Sequence, residues 1–269
     1  MNFTQKLIVR PGSKINLSDF DADETYGYEK GGDCKKQTTK TIERMDKLQY
    51  RLYADDRYAL LIVLQGMDAA GKDGTIRHVM SGINPEGCSV NSFKQPSHEE
   101  LQHDFLWRIH KAVPQRGTFG IFNRSQYEDV LVVRVHKLAP KAVWQSRFDQ
   151  INKFESLLVQ NNVIILKFFL HISKSEQKKR FEARLHDPTH EWKASPADFE
   201  ERKYWNEYTR AYEDVLHRCS TRHAPWFIIP ANHKWFRNLA VSRIITDTLE
   251  TLHLRYPKPA FNLSKIKIK

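Results

Sequence analysis

The sequence predicts an α/β fold: a three-layer sandwich in which a five-stranded parallel sheet carries helices on both faces. Three observations lead there. Apolar runs of strand length alternate with helical patterns along the chain. A glycine-rich loop follows directly on the first apolar run. The length of 269 residues suits one large α/β domain, residues 1–269, with a substantial core.

The elements follow in order. Residues 1–57 form a flanking segment with a local acidic stretch, Asp19, Asp21, Asp23, Glu24 and Glu29, before Gly31-Gly32 breaks the chain. Ile42, Met45, Leu48 and Leu52 then recur at helical spacing, which predicts a helix over Thr38 to Tyr53. Ala59 to Leu64 reads as a buried strand, and Thr75 to Met80 continues a helix after the glycine-rich loop. Cys88 to Phe93 is a second strand behind the turn Asn84-Pro85-Glu86-Gly87. Ser97-His98-Glu99-Glu100 is a capping box opening a helix through Lys111, which Pro114 to Gly117 stops. Thr118 to Phe122 is a third strand. Lys141 to Gln160 is a helix with Trp144, Phe148, Ile151 and Leu158 on one face, and Val163 to Leu170 a fourth strand interrupted by Lys167. Ser173-Lys174-Ser175-Glu176 is another capping box, heading a lid and following helix over about residues 174–218. Trp226 to Ile229 is the fifth strand, and an amphipathic helix from Trp235 to Leu254 closes the chain.

The loop Gly66-Met67-Asp68-Ala69-Ala70-Gly71-Lys72-Asp73-Gly74 supplies the strand, loop and helix order of an anion cradle. In such a loop glycines let backbone N–H groups converge on phosphate oxygens, the helix N-terminus adds its dipole, and a lysine such as Lys72 reaches the distal phosphates. Asp73 stands where Ser or Thr ordinarily follows the lysine, and Asp68 puts a carboxylate inside the cradle. A carboxylate repels phosphate unless a cation lies between them, so Asp68, with Asp73 behind it, is expected to serve Mg²⁺.

A second constellation, Asn123-Arg124-Ser125-Gln126-Tyr127-Glu128-Asp129, follows the third strand, at the sheet edge where open α/β sheets bind ligands. Arg124, Glu128 and Asp129 are the candidates there for contact with phosphate, metal or nucleotide. A third lies in the lid, where Arg180 and Arg184 share a helix face, with Lys193, Arg202 and Lys203 beyond. Arg180 and Arg184 could clamp successive phosphates there.

The formal charge of +11 requires a polyanionic partner without saying which. Cys34, Cys88 and Cys219 are few, odd in number and scattered, which speaks against a disulfide framework or a zinc site. No apolar run is long enough for a membrane span and the N-terminus lacks a signal-peptide core, so a cytoplasmic protein without membrane contact is expected.

Taken together, the glycine-rich loop, the Asn123 to Asp129 segment, Leu166-Lys167-Phe168-Phe169-Leu170-His171-Ile172-Ser173, Ala224-Pro225-Trp226 and Ile229-Pro230-Ala231-Asn232 resemble the family-2 polyphosphate kinases. The resemblance runs from Phe20-Asp21 to about Tyr256, and the Asp after the lysine fits it. It implies a P-loop kinase-like fold with a helical lid and Mg²⁺-dependent transfer of the terminal phosphoryl group of inorganic polyphosphate to a nucleotide, or the reverse. AMP, ADP and ATP are the implied nucleotides, guanine nucleotides further candidates, and a homo-oligomer the expected assembly. Tyr127-Glu128-Asp129 resembles the subgroup that accepts both AMP and ADP. Asp68, Lys72, Arg124 and Glu128 are then the catalytic candidates. Gly66, Ala69, Ala70, Gly71, Lys72, Asp73 and Gly74 form the phosphate cradle, and Asp68, Glu128 and Asp129 are the metal ligands. The same resemblance implies that Arg180, Arg184, Lys193, Arg202 and Lys203 serve polyphosphate. An ATP-dependent nucleoside or nucleotide kinase shares the fold and loop. A nucleic-acid-binding protein would explain the charge but not the loop.

Overall fold

The computed structural model describes residues 3–189, 196–262 and 266. A short helix, α1 (Thr4–Leu7), leads into an N-terminal strap whose Ile8 bridges antiparallel to Phe227. Helix α2 (Gly32–Asp55) starts at the glycine pair and is longer than its apolar spacing predicts. It ends where Asp56 turns left-handed and returns its N–H to the Leu52 carbonyl. Next come β1 (Ala59–Gln65), α3 (Lys72–Val79) and β2 (Cys88–Ser92).

The single helix expected from Ser97 to Lys111 is instead two, α4 (His98–Leu101) and α5 (Trp107–Lys111). The capping box at Ser97 is present, with Ser97 Oγ accepting from Glu100 N and Glu100 accepting from Ser97 N. The break comes at Asp104, whose side chain accepts the Leu106 N–H and whose carbonyl accepts the Trp107 N–H. An Asp bonding to backbone two residues on competes with a continuing helix.

The chain continues through β3 (Phe119–Asn123), α6 (Val132–Val135), α7 (Lys141–Gln160) and β4 (Val163–His171). Then follow α8 (Lys174–Leu185), α9 (Pro196–Glu201), α10 (Trp205–Cys219), β5 (Trp226–Pro230) and α11 (Lys234–Thr251). At α8 only half of the expected capping box forms. Ser173 Oγ accepts from Glu176 N, but Ser173 N donates to Asn232 Oδ1 and the Glu176 carboxylate is taken by Arg180. The closing helix α11 is not amphipathic as expected. It is buried nearly all round, from Phe236 and Leu239 to Ile245 and Leu249, between α2 and the sheet.

The strands are all parallel, in the order β2-β3-β1-β4-β5. β1 lies in the middle, with Leu60 opposite both Phe119 and Ile164, and all seven of its residues are buried. That is the continuous apolar run expected of a strand covered on both faces. α7 and α10 pack together on one side, and α2, α3 and α11 on the other. Because the sheet is parallel, the segments after β1 and β3 leave it at the same edge.

A charged pair sits inside the core, Lys167 with Glu155. Lys167, in the middle of β4, is fully buried and donates to Glu155 Oε2 (2.5 Å), Tyr127 Oη (2.9 Å) and the Cys219 carbonyl (2.6 Å). Tyr127 Oη donates in turn to Glu155 Oε1 (2.7 Å), and Gln126 Nε2 reaches the same oxygen (3.0 Å). All three ammonium protons are satisfied, as a buried cation requires. The network also roots the turn after β3 in α7 and β4.

Candidate active site

The loop after β1 is shaped by close approach. Gly66 has φ 155°, and a Cβ there would stand 2.8 Å from the Leu170 carbonyl oxygen of β4. Gly71, at φ 100°, is the last residue before α3 and leaves no room for a side chain on its Arg237 side. Between them Ala69 also adopts positive φ (62°), and Ala70 N bonds back to the Met67 carbonyl (3.0 Å). The result is a strand, a tight loop and a helix N-terminus, the arrangement that presents N–H groups to an anion.

Lys72 is not an exposed loop lysine. Its ammonium folds back to donate to the Gly66 carbonyl (2.9 Å) and, at 3.5 Å, to that of Met67. Burial, and after it the nearby Arg124, pushes its pKa below the ordinary lysine value. Asp73 is exposed on the first turn of α3 and accepts from Asn123 Nδ2 at 2.7 Å, so its carboxylate is tied to the end of β3.

Arg124 joins the two loops. Its backbone is left-handed (φ 63°) and its N–H bonds to the Leu64 carbonyl, which aims the guanidinium across the loop after β1. Nη2 donates to Asp68 Oδ1 at 2.9 Å, and Nη1 reaches Glu128 Oε2 at 3.4 Å. Burial opposes this charge, but Glu128 and Asp68 outweigh it and hold the pKa above the usual guanidinium range. Asp68, Arg124 and Glu128 thus face one cavity of ≈ 250 Å³, which Asp198, Glu201, Arg202, Trp205 and Tyr208 also line.

Asp129 does not join them. Next to Glu128 in a tight 3-10 turn, it takes a different partner, pairing with Arg147 Nη1 at 3.0 Å, and is not among the residues lining the cavity. Burial raises its pKa to about 6 even against that arginine. As a metal ligand beside Asp68 it is withdrawn. Among the described residues no group of three or more His, Cys, Asp or Glu is placed to hold a metal ion.

The lid cations separate as well. Arg180 is buried, and its five N–H positions face protein acceptors: Glu176 Oε1 (2.7 Å) and the carbonyls of Ala69 (2.9 Å), Ala70 (3.0 Å), Ala231 (2.6 Å) and Asn232 (3.0 Å). It is a strut holding the phosphate loop to the segment after β5, and the two-arginine clamp with Arg184 is not formed. Arg184 faces Asp198 at 3.4 Å. Arg202 lines the cavity and donates to the Lys174 carbonyl and Gln177 Oε1. Lys203 is an exposed partner of Glu200. Lys193 lies outside the described residues.

Several site residues escape the sequence reading. Asn123 holds Asp73, and Gln177 Nε2 donates to the Asp68 carbonyl at 2.9 Å. Tyr208 Oη donates to Glu201 at 2.8 Å and Tyr212 lines the same cavity. Asn123 alone carries a visible signal, since it opens the Asn123 to Asp129 segment directly before Arg124.

The family model described as Polyphosphate kinase 2 (PPK2) matches residues 29–257. The chain belongs to the polyphosphate kinase 2 family. An AMP/ADP-polyphosphate phosphotransferase of Meiothermus ruber is 47% identical over 265 residues, covering 98% of this chain and 99% of its own. An ADP-polyphosphate phosphotransferase of Rhodopseudomonas palustris is 46% identical over 267 residues, covering 95% and 92%. The crystal structure of polyphosphate kinase 2 from Arthrobacter aurescens superposes with a TM-score of 0.91 at 44% identity, over 95% of this chain and 92% of that one. The matched region of this polyphosphate kinase 2 family member takes in both loops and the segment from α8 to α10. Among the described residues no helix is long and apolar enough to cross a membrane.

Proposed function

We propose that this chain transfers the terminal phosphoryl group of inorganic polyphosphate to ADP and AMP, or runs the reverse, by direct in-line displacement with Mg²⁺. The observation that supports it best is the convergence of Asp68, Arg124 and Glu128 on one cavity at the mouth of a phosphate loop. Both substrates are polyanions, so catalysis is a matter of positioning and of spreading charge in a loose transition state. The loop N–H groups and Lys72 receive the donor chain, and Arg124 neutralises the group in flight. The acceptor's terminal phosphate oxygen forms the new P–O bond as the bridging bond to the shortened polyphosphate breaks. The bridging oxygen departs with the bonding pair as a weakly basic terminal oxygen of the shortened polyphosphate, so no proton has to be delivered to it.

Asp68 and Glu128 suit Mg²⁺, a hard cation that takes one or two carboxylates together with substrate phosphates. Bound there, it would screen the repulsion between carboxylates and phosphates. Glu128 bears on acceptor choice, and the relative named for AMP and ADP together supports the dual reading. The protein, polyphosphate and Mg²⁺ are mixed with AMP or ADP and the nucleotides separated. Formation of ADP and ATP is expected from AMP, and of ATP from ADP. Phosphoryl transfer from ATP alone, with polyphosphate inert as donor, would instead make it a conventional nucleotide kinase. Guanine nucleotides are compared in the same assay.

A further inference from the structure

Arg237, on the first turns of α11, is 1% exposed. The other deeply buried cation, Lys167, has a carboxylate partner in Glu155, and Arg180 has one in Glu176. Arg237 has none among the described residues. Among the described residues its only side-chain acceptor is the neighbouring Asn238 Oδ1, reached by Nη2 (2.8 Å) and Nε (3.2 Å). Burial, and after it the charge of Arg180, lowers its pKa to about 10, and Lys234 is lowered by the same neighbours. A buried charge left without a counter-ion is costly, and its persistence calls for something that offsets it.

The position of the guanidinium says what that is. A Cβ placed on Gly71 would run into Arg237 Nη1, and one on Gly74 would stand 3.4 Å from Nη2. The fork therefore lies directly against the junction of the phosphate loop with α3, and Arg237 is not among the residues that line the cavity. The first N–H groups of α3 already make this end positive. Three cationic groups, Arg180, Lys234 and Arg237, are gathered near one loop, and the described acidic partner there, Glu176, belongs to Arg180.

We propose that Arg237 is a positioning residue for the donor polyphosphate: the anion held by the loop is its missing counter-ion. The proposal rests on the loop's being the polyphosphate site. It also gives Gly71 a second reason to be glycine, since its missing side chain is what lets the charge come so near.

The test compares wild type with Arg237→Met, which keeps the stem and removes the charge, and Arg237→Lys, which keeps charge without the fork. Tripolyphosphate is the probe, with Kd from titration calorimetry and Tm with and without it. Without probe, Arg237→Met is expected to melt no lower than wild type, because a buried unpaired charge has gone. Its affinity for tripolyphosphate should fall about tenfold or more, its Tm gain on binding should shrink, and Arg237→Lys should keep most of both. A lower Tm with unchanged affinity in Arg237→Met, or loss of affinity in Arg237→Lys equal to that in Arg237→Met, would make the residue a packing element and overturn the proposal. Absence of binding by wild type would overturn the assignment of the loop itself.

Discussion

Arg124 and Asp68 hold each other at 2.9 Å across the cavity mouth, with side chains 39% and 25% exposed. A half-exposed pair of this kind is worth on the order of 0.2–1 kcal/mol. It is therefore readily exchanged, the arginine for phosphate and the carboxylate for a cation. Asp68→Asn keeps the shape and removes the charge. It should leave urea unfolding within about 1 kcal/mol of wild type while lowering kcat about a hundredfold and shifting the Mg²⁺ titration to higher concentration. An unchanged Mg²⁺ titration would remove Asp68 from the metal site.

Glu128 and Asp129 are adjacent in sequence but held by different arginines, and Glu128 alone of the two lines the cavity, so their substitutions should differ in kind. Glu128→Asn should lower kcat/KM for AMP more than for ADP, because AMP leaves a gap of one phosphate that the enzyme must bridge. One lost interaction of ~1.4 kcal/mol changes the ratio about tenfold. Equal losses with both acceptors would place nucleotide choice elsewhere. Asp129→Asn should leave that ratio alone and cost about 1–3 kcal/mol of stability through Arg147, read by denaturant unfolding.

Arg180 and Arg184, four residues apart on α8, should also part company. Arg180→Ala leaves four carbonyls and Glu176 without their donor and should destabilise by roughly 3–5 kcal/mol, with weakened binding of polyphosphate as a consequence of a loosened loop. Arg184→Ala should change the melting temperature little and act only on the KM for polyphosphate. If both variants melt alike, the strut reading of Arg180 fails.

The buried pair of Lys167 and Glu155 gives a test by double substitution. Lys167→Met alone leaves the carboxylate uncompensated and should cost about 3–5 kcal/mol. Lys167→Met with Glu155→Leu should recover part of that, although Tyr127 and Gln126 then lose an acceptor. A double variant no better than the single would mean that the hydroxyl and amide, and not the charge, carry the network.

Thiol chemistry checks the interior independently. Cys219 is buried and its pKa is pushed up to about 12, above all by desolvation, and burial raises Cys34 and Cys88 as well. Since the thiolate is the reactive form, Cys219 in the native protein should resist an aromatic disulfide reagent at pH 8 and react at once in denaturant. Rapid native labelling of Cys219 would contradict the packing of α10 on β4.

Much of this is legible without coordinates, and the parts that are not share a cause. The seven buried residues of β1, the loop after it and the turn at Arg124 are all written in consecutive residues, where local chemistry and periodicity speak. The direction of Asp129 depends on Arg147, and the fate of Arg180 on carbonyls after β1 and β5. Both are decided by partners far away in the chain. Lys167 looks like an interruption of an apolar strand because a single sequence gives no sign that Glu155 and Tyr127 are waiting for it. Helical spacing rightly puts Arg180 and Arg184 on one side of α8, yet it says nothing about how deep that side lies.

The strand order carries a consequence for how the molecule comes into being. β1 is flanked by β3 and β4, so Ala59 finds its partner only at Val163, and β4 in turn waits for Trp226 to pair with Lys167. During synthesis the phosphate loop leaves the ribosome early, but the carbonyls and arginines that brace it arrive from the last third of the chain. Such distant parallel pairings are slow to close. A chain interrupted before β5 would therefore leave the largely apolar β4 as an open sheet edge with no strand beside it, making truncation products rather than mature protein the species most prone to aggregate.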